Sequence, residues 1–479
     1  MTNFFLHAKR RPNLLNHDTG DFVMSIKLQQ NRIKANFWIT PSLYGIAAFV
    51  LATISTFLDR YLTAHKQWLK LVPSVFLTDK ELAHTILSSV SNSLLTMTTI
   101  TFSSVLVVLT TFVGQFSPRT IQNFNTDAKT QRVLGTFIGG YVYVLVLLIQ
   151  VRSNQVSNTF IVPSLAIMVA FICLGMFVFL IHHVINWIKV GNLISNIAKK
   201  TMITIEERRL EQQKTPESKN EIHLDFGSKK TIQIKSIKQG YIQYIELKHL
   251  TTLASKLNVI VKLEKAPGEY VEADTPLLTV INHNQTLEHE RFLHCLFITN
   301  DQESIQDVKL GIQKLSEIAL RAISPAINDP ETAINCIEQL TQVFIKLGKS
   351  YSSSPYYCDE TGRIRVMLEK LSFMDYLYKA FYQIRHYGKE DVSVRSAVIK
   401  VLTVIAETNH SAIKNDVWVF SSYIVEGLQK EEWLKMDKEF LNQLLKNLAK
   451  ACEKKRRFYV DRIKVKKRRS STERRFLTI

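Results

Sequence analysis

The hydrophobic pattern of the first 190 residues consists of long apolar segments without Asp, Glu, Lys or Arg. Four such segments occur, at 38–58, 85–118, 133–150 and 153–188. A bilayer core requires roughly 20 apolar residues of helix, and hydrocarbon offers no partners to an open backbone. Each segment is therefore predicted to be a transmembrane helix, which gives a four-helix transmembrane domain at 38–190 after an N-terminal tail at 1–37.

The pattern changes after the membrane segments. Residues 191–239 are polar and are interpreted as a connector, whereas 240–298 hold short β-branched runs separated by turns. The PGEYVEADTPL phrase at 267–277 is similar to the turn of barrel-sandwich domains, but no carrier lysine is present. From 299 to 457 apolar residues recur every three or four positions, which predicts a helical bundle. The fold class expected is mainly α, with one small β module.

The distribution of basic residues predicts the orientation in the membrane. Lys and Arg number six in 1–37 and three in 114–132, against four in 59–82 and one at Arg152. Basic residues stay on the cytoplasmic side, so both termini are expected in the cytoplasm, with the bundle and connector beside them. The protein is expected in a bacterial inner membrane.

The formal charge of +19 is concentrated at the C-terminus. The last 30 residues hold thirteen Lys or Arg against three acidic residues, and they include the basic tail predicted at 458–479. Beside a membrane this composition favours anionic lipid headgroups over nucleic acid. A solvated tail that only obeys the topology rule is the alternative.

The sequence contains none of the common catalytic or metal-binding motifs. The five cysteines are scattered without a CxxC pair, and no Walker, GxSxG, HExxH or dinucleotide motif occurs. The histidines between 283 and 294 lack the paired cysteines of a structural zinc site. We expect neither an enzyme nor a cofactor or metal.

The second membrane segment is rich in hydroxyl groups, since thirteen of residues 85–111 are Ser or Thr. Several polar residues are spaced by three and four, so they share one helical face. Such a face permits close packing between helices, or it lines a wet pathway in an oligomer. We number the helix predicted at 85–118 as α2 and call this face the α2 stripe; its predicted site residues are Ser89, Asn92, Thr96, Thr99 and Ser103.

Two further membrane features are candidates. Gly135 and Gly139 form a GxxxG step, which permits helix packing either within a protomer or between protomers. At the end of the second segment, Gln115 and Arg119 are placed at the membrane mouth. They are interpreted as an interfacial anchor or as an ion filter.

A turn between two predicted helices is the candidate site of the helical bundle. Asp329 followed by Pro330 suits a helix N-cap with proline in the first turn. Two prolines and a cap fix the backbone, so the turn also has the features of a ligand pocket. The residues proposed for it are Ser324, Pro325, Asn328, Asp329 and Pro330, together with Arg385.

Four blocks of sequence carry a resemblance to a known family. They are TTFVGQFSPRT at 110–120, RVLGTFIGGY at 132–141, AISPAINDPETA at 322–333 and AFYQIRHYG at 380–388. Together, and in this order, they resemble the bacterial predicted membrane proteins grouped as domain of unknown function 2254. The resemblance implies a multi-pass inner-membrane protein with a cytoplasmic domain, and it implies no activity.

Two functions remain open from the sequence. One is an oligomeric channel or transport-like protein, with the α2 stripe on the pathway and the cytoplasmic part as sensor or gate. The other is a membrane-anchored interaction or signalling platform without permeation, in which the helices only hold the cytoplasmic part near the membrane.

Overall fold

The computed structural model describes residues 38–64, 73, 76–115, 128–153, 161–214, 230–281, 288–300, 307–351, 355–428, 432–455 and 460. The chain divides into a membrane unit, Met1–Ile188, and a second unit, Lys189–Ile479. The predicted N-terminal tail at 1–37 and nearly all of the basic tail at 458–479 lie outside the described residues.

Four helices form the described membrane unit, and the predicted fold class is confirmed. They are α1 (Ile39–Ala64), α2 (Lys80–Gln115), α3 (Ala128–Ser153) and α4 (Val162–Ile188). Among the described residues, these four are long and apolar enough to cross a membrane. Each overlaps one of the predicted segments, and 24 to 29 residues of each have the length and apolarity that a bilayer core requires.

Helix α3 is the centre of the membrane unit. It packs against α1, α2 and α4, and half of its span is buried. Phe137 of α3 is fully buried and meets Phe177 of α4 edge to face, with ring centroids 6.5 Å apart. Two polar contacts join α3 to α1: Tyr143 donates to Ser55 at 3.1 Å, and Thr40 donates to Gln131 at 3.0 Å. Such interhelical hydrogen bonds contribute about 0.6–2 kcal/mol each in lipid.

The second unit begins with a long helix, α5 (Val190–Lys214), and continues into a mixed β region. The predicted connector at 191–239 therefore contains regular structure, including the first strand. The elements that follow α5 are β1 (Thr231–Lys235), β2 (Gly240–Ile245), α6 (Leu247–Lys256), β3 (Ile260–Leu263), β4 (Tyr270–Val271), β5 (Pro276–Ile281), α7 (His289–Leu293) and β6 (Leu296–Thr299).

A hairpin from later in the chain completes the β region. Strands β7 (Tyr356–Cys358) and β8 (Ile364–Leu368) lie within the predicted helical bundle, and β8 occupies residues that we expected to be helical. Strand β8 pairs parallel to β3, with Val366 opposite Val261. The described strands form sheets of order β1-β5-β3-β8-β7 and β4-β2-β6, and both contribute to one apolar core. The β region thus extends beyond the module that was predicted at 240–298.

An ion pair in the turn between β7 and β8 is almost completely buried. Arg365 Nε donates to Asp359 Oδ2 at 2.7 Å, and Ser255 donates to the same oxygen at 2.9 Å. Burial alone raises the pKa of Asp359, but hydrogen bonds from Thr361, Arg365, the Arg363 amide and Ser255 outweigh burial. They hold the pKa well below its ordinary value, so the carboxylate is charged in the folded protein.

The remaining elements are helices, and four of them begin at a residue whose side chain caps the helix. They are α8 (Val308–Ala322), α9 (Pro330–Ser350), α10 (Phe373–Tyr387), α11 (Val392–Thr408), α12 (Ser411–Leu428) and α13 (Lys435–Ala451). Asp307, Asp329, Ser372 and Asp391 cap the N-termini of α8 to α11, because each accepts a hydrogen bond from an otherwise unpaired amide. Helix α5 packs on α8 and α9, so residues 191–214 of the predicted connector pack with the bundle.

Candidate functional site

Helix α2 has a buried face and an exposed face. Ala83, Leu87, Leu94 and Val105 are at most 4% exposed, on the side of the helix that packs against α3 and α4. The α2 stripe lies on the other side, at the surface of the membrane unit. All of its predicted residues are exposed: Ser89, Asn92, Thr96, Thr99 and Ser103. Within the part of the chain that the structure describes, the stripe is therefore not buried by packing.

Hydroxyl groups along this exposed face donate hydrogen bonds to their own helix. Thr96 Oγ1 donates to the carbonyl of Asn92 at 2.9 Å, and Thr99 Oγ1 donates to the carbonyl of Leu95 at 3.0 Å. Bonds of this kind satisfy the hydroxyl hydrogen without any partner outside the helix. The lone pairs of these oxygens remain available to water, an ion or a neighbouring chain.

A groove of about 420 Å³ lies along the part of α2 that follows Thr96. One wall carries Thr99, Ser103 and Ser104, and the opposite side reaches Val184 of α4. Most of its surface is apolar, with the hydroxyl groups concentrated on the α2 wall. The groove is open toward the surroundings of the membrane unit, so its hydroxyl groups are accessible from outside the protomer.

The exposed surface of α2 differs in chemistry from that of α4. Only 22% of the α2 span and 17% of the α4 span are buried within the chain. Their mean hydropathy nevertheless differs, at 1.3 for α2 and 2.8 for α4. Two helices with similar exposure thus present different surfaces, and the α4 surface is the one that suits acyl chains.

The sequence pattern did not single out one hydroxyl group of α2 that is buried in the structure. Thr101 lies outside the stripe spacing and is fully buried, and its Oγ1 has no hydrogen-bond partner among the described residues. A buried donor left unpaired costs about 1–3 kcal/mol. Its position in the sequence could have indicated this burial, because a residue two positions after Thr99 lies on the opposite face of the helix.

The GxxxG step packs within the protomer. A methyl group added at Gly135 would lie 2.9 Å from Tyr44 Cγ, and one at Gly139 would lie 3.2 Å from the Tyr44 carbonyl oxygen. Both glycines therefore allow α1 to approach α3 closely. The next residue, Gly140, does the same for α4, since a methyl group there would meet Cys173 Sγ at 2.7 Å.

The candidate mouth of the membrane domain is only partly described. Helix α2 ends at Gln115, whose side chain is outside the described set, and Arg119 lies in the undescribed range 116–127. Their interpretation as an anchor or a filter stays a prediction.

The turn before α9 has the backbone that its sequence predicts. Asp329 accepts a hydrogen bond from the Thr332 amide at 3.1 Å, Pro330 is the first helical residue, and Asn328 adopts a left-handed conformation with φ of 49°. The amide of Asn328 donates to the Ser324 carbonyl at 2.9 Å, and Pro325 is exposed. These residues do lie together, and capping accounts for Asp329.

Arg385 contacts helix α12. Its guanidinium carbon lies 4.1 Å from the centre of the Tyr423 ring, and its Nη1 is 2.8 Å from the position of a methyl group at Gly427. Both partners belong to α12. These contacts place Arg385 in the packing between α10 and α12, and its role at the turn stays a prediction.

These observations define a multi-pass α-helical membrane protein with a second unit of mixed sheet and helix. The chain belongs to the family described as predicted membrane protein (DUF2254), whose sequence pattern matches residues 34–404. Similar proteins include the uncharacterized proteins Mb1321c of Mycobacterium bovis and Rv1290c of Mycobacterium tuberculosis. Each is 26% identical over 341 residues, which cover 68% of this chain and 64% of the relative. The match thus spans less than two thirds of these relatives. No solved structure matches the chain.

Proposed function

We propose that this protein is an oligomeric, transport-like membrane protein in which the α2 stripes of several copies line a polar pathway. The observation that carries the proposal is the difference between α2 and α4. Both spans are largely exposed in one chain, but α2 exposes hydroxyl and amide groups among apolar residues such as Leu95 and Val107, whereas α4 exposes mainly hydrocarbon. A surface of this kind is better matched by water or by another copy of α2 than by acyl chains.

The groove beside the stripe supports the same proposal. Copies arranged around an axis with α2 inward would bring the oxygens of Thr96, Thr99 and Ser103 into a ring. Their lone pairs are free to accept, because the hydroxyl hydrogens of Thr96 and Thr99 are bonded within the helix. Rings of acceptor oxygens are a recurring way to coordinate dehydrated cations.

This arrangement also suggests roles for the second unit and the basic tail. We propose a bacterial inner-membrane location with both termini in the cytoplasm, on the basis of the lysine and arginine distribution. The second unit then acts as a cytoplasmic sensor or gate without enzymatic activity. The basic tail binds anionic headgroups at the inner leaflet.

Liposome flux measurements test the pathway. Purified full-length protein is reconstituted, and ion flux is followed with an entrapped fluorescent indicator. Thr96→Leu and Thr99→Leu remove acceptor oxygens from the stripe and should change the flux several-fold while the oligomer size is retained. Thr53→Leu is the matched control, because Thr53 is also exposed and its hydroxyl also donates to its own helix, but on α1. Flux that responds equally to all three substitutions would contradict the pathway.

The second candidate is a membrane-anchored platform. It is favoured by the hydrogen bonds of Thr96 and Thr99 to their own helix, since such bonds let hydroxyl groups face lipid at low cost. Under this function, liposomes containing the protein stay impermeable. Deleting residues 189–479 would also give the same phenotype as deleting the whole gene.

A further inference from the structure

One carboxamide of the α2 stripe lies deep within its membrane span. Asn92 follows Glu81 by eleven residues, which at about 1.5 Å per residue is roughly 16 Å along the helix. Glu81 marks the membrane surface, because a charged side chain is costly within hydrocarbon. A hydrocarbon core is about 30 Å thick, so Asn92 lies near its midplane. The other described spans hold carboxamides only within a few residues of their ends, at Gln131, Gln150 and Asn186.

The side chain of Asn92 is exposed, and it has no hydrogen-bond partner in the part of the chain that the structure describes. Carboxamides nearer the helix ends differ from it. Gln131 accepts a hydrogen bond from Thr40 at 3.0 Å, and Asn186 Nδ2 lies 2.9 Å from His182 Nε2. Asn92 thus keeps two N–H donors and a carbonyl acceptor that the described protomer does not use.

The hydroxyl groups beside Asn92 are in a different situation. Ser93 Oγ donates to the carbonyl of Ser89 at 2.9 Å, and Thr96 Oγ1 donates to the backbone carbonyl of Asn92 at 2.9 Å. Their hydrogens are bonded inside α2, which lets these groups face lipid at low cost. The carboxamide has no such bond in the structure. Because an unpaired amide is costly in an apolar environment, Asn92 needs a partner from outside the protomer.

A second copy of the chain can supply this partner, whereas acyl chains cannot, because they carry neither donors nor acceptors. Copies with the same topology hold Asn92 at the same depth in the membrane. A carboxamide is also complementary to itself, since its N–H groups donate and its carbonyl oxygen accepts. Small residues allow two helices to approach closely, and Ser89 and Ser93 lie exposed within one turn of Asn92.

We propose that α2 helices of neighbouring copies meet at Asn92, where Nδ2 of each Asn92 donates a hydrogen bond to Oδ1 of Asn92 in the next copy. This inference rests on the oligomer of the proposed function and adds to it the contact that holds the copies together. Hydrogen bonds between carboxamides stabilise the association of membrane helices. A ring of such bonds also sets the register of the helices, so that Thr96 and Ser103 of every copy reach common levels.

The test is the association of full-length protein in detergent, measured by resonance energy transfer between donor-labelled and acceptor-labelled copies as the protein is diluted. Asn92→Leu should weaken association at least about tenfold, because the hydrogen bonds between copies are lost. The protomer should still fold, since Asn92 is exposed. Asn92→Gln retains the carboxamide and should associate as the wild type does. Thr53→Leu is the matched control, because Thr53 is exposed in the span of α1 and bonds to its own helix.

Equal association of the wild type and Asn92→Leu would overturn the proposal, and so would an Asn92→Gln variant that associates as weakly as Asn92→Leu. The liposome flux assay separates this contact from the pathway. If Asn92→Leu changes the flux while the oligomer keeps its size, the carboxamide faces water, so the contact is wrong and the pathway stands. If Asn92→Leu dissociates the oligomer but liposomes with wild-type protein stay impermeable, the contact stands and the pathway is wrong.

Discussion

Replacing Gly135 with Ala tests whether α1 and α3 pack as closely as the structure indicates. The added methyl carbon would lie 2.9 Å from Tyr44 Cγ, 3.1 Å from Cδ2 and 3.3 Å from Cβ. Carbon atoms pack best at about 3.5–4.0 Å, so all three contacts are too short. The atoms lie at the root of the Tyr44 side chain, and moving them requires either a new rotamer or a shift of α1.

The expected magnitude follows from two opposing terms. Overpacking a close contact costs about 1–3 kcal/mol, whereas Gly→Ala within a helix contributes about 1 kcal/mol of stability. Gly175 of α4 is the matched control, because a methyl group there meets nothing within 4 Å. Gly175→Ala should therefore only gain the stability that Ala contributes within a helix, without a packing cost. We expect the two variants to differ by about 1–3 kcal/mol in the free energy of unfolding.

The assay is reversible unfolding of the membrane unit in mixed detergent micelles with increasing sodium dodecyl sulfate, followed by circular dichroism. A double-mutant cycle with Tyr44→Ala adds a second criterion, since removing the ring should relieve most of the cost of Gly135→Ala. Equal stability of Gly135→Ala and Gly175→Ala would refute the close packing of α1 on α3. So would a cost that persists unchanged when Tyr44 is Ala.

Three predictions concern the second unit, each measured on the full-length chain. Asp359→Ala should destabilise the region around β8 by about 3–5 kcal/mol, because Arg365 is then buried without its carboxylate. The measurement is hydrogen exchange, which should become faster in β8. Lys262→Ala is the control, because it breaks an exposed ion pair and should cost at most about 1 kcal/mol. Lowering the pH should also destabilise the region around β8. Burial raises the pKa of Asp359 but its hydrogen bonds lower it further, so its contribution is complete above the unfolded pKa of about 4 and is lost as pH falls toward the folded pKa. Exchange of β8 that is independent of pH from neutral to acid would contradict this. Gly311→Val should separate α5 from α8 through a clash with Thr201 and lower the thermal midpoint, whereas an unchanged midpoint would show that the helices are not in contact.

The membrane helices were predictable because one physical requirement determines them. A span must be apolar over its whole length, so each was identified from composition alone. Helix starts were predictable for a similar reason. Asp329 followed by Pro330 is a local signal, and the cap it predicts is present.

Strand β8 was not predictable from its neighbourhood, because its partner is distant in sequence. Ile364, Val366 and Leu368 alternate as a strand should, but the run is short and adjoins a helical period. Its pairing with β3 joins Val366 to Val261, 105 positions earlier. Local propensity carries no information about such a partner, and tertiary pairing decides the conformation.

The α2 stripe shows what sequence does and does not determine about a site. Its spacing predicts that Thr96, Thr99 and their neighbours share one face, and in the structure these residues are all exposed on α2. Whether that face turns inward depends on where Leu87, Leu94 and Val105 find partners, and the structure places those on α3 and α4. The partner of Arg385 likewise lies on a separate helix, so its contact with Tyr423 had no sequence signal.

The parallel pairing of β8 with β3 has a practical consequence for anyone who divides this protein. A cut near residue 300, where the composition suggests a border, would separate β7 and β8 from β1, β5 and β3 and so divide the five-stranded sheet between two fragments. Neither fragment would contain the complete sheet, and both would expose unpaired strand edges that can pair with strands of other chains. Everything from β1 to β8 therefore has to be expressed, transplanted or inherited as one indivisible piece.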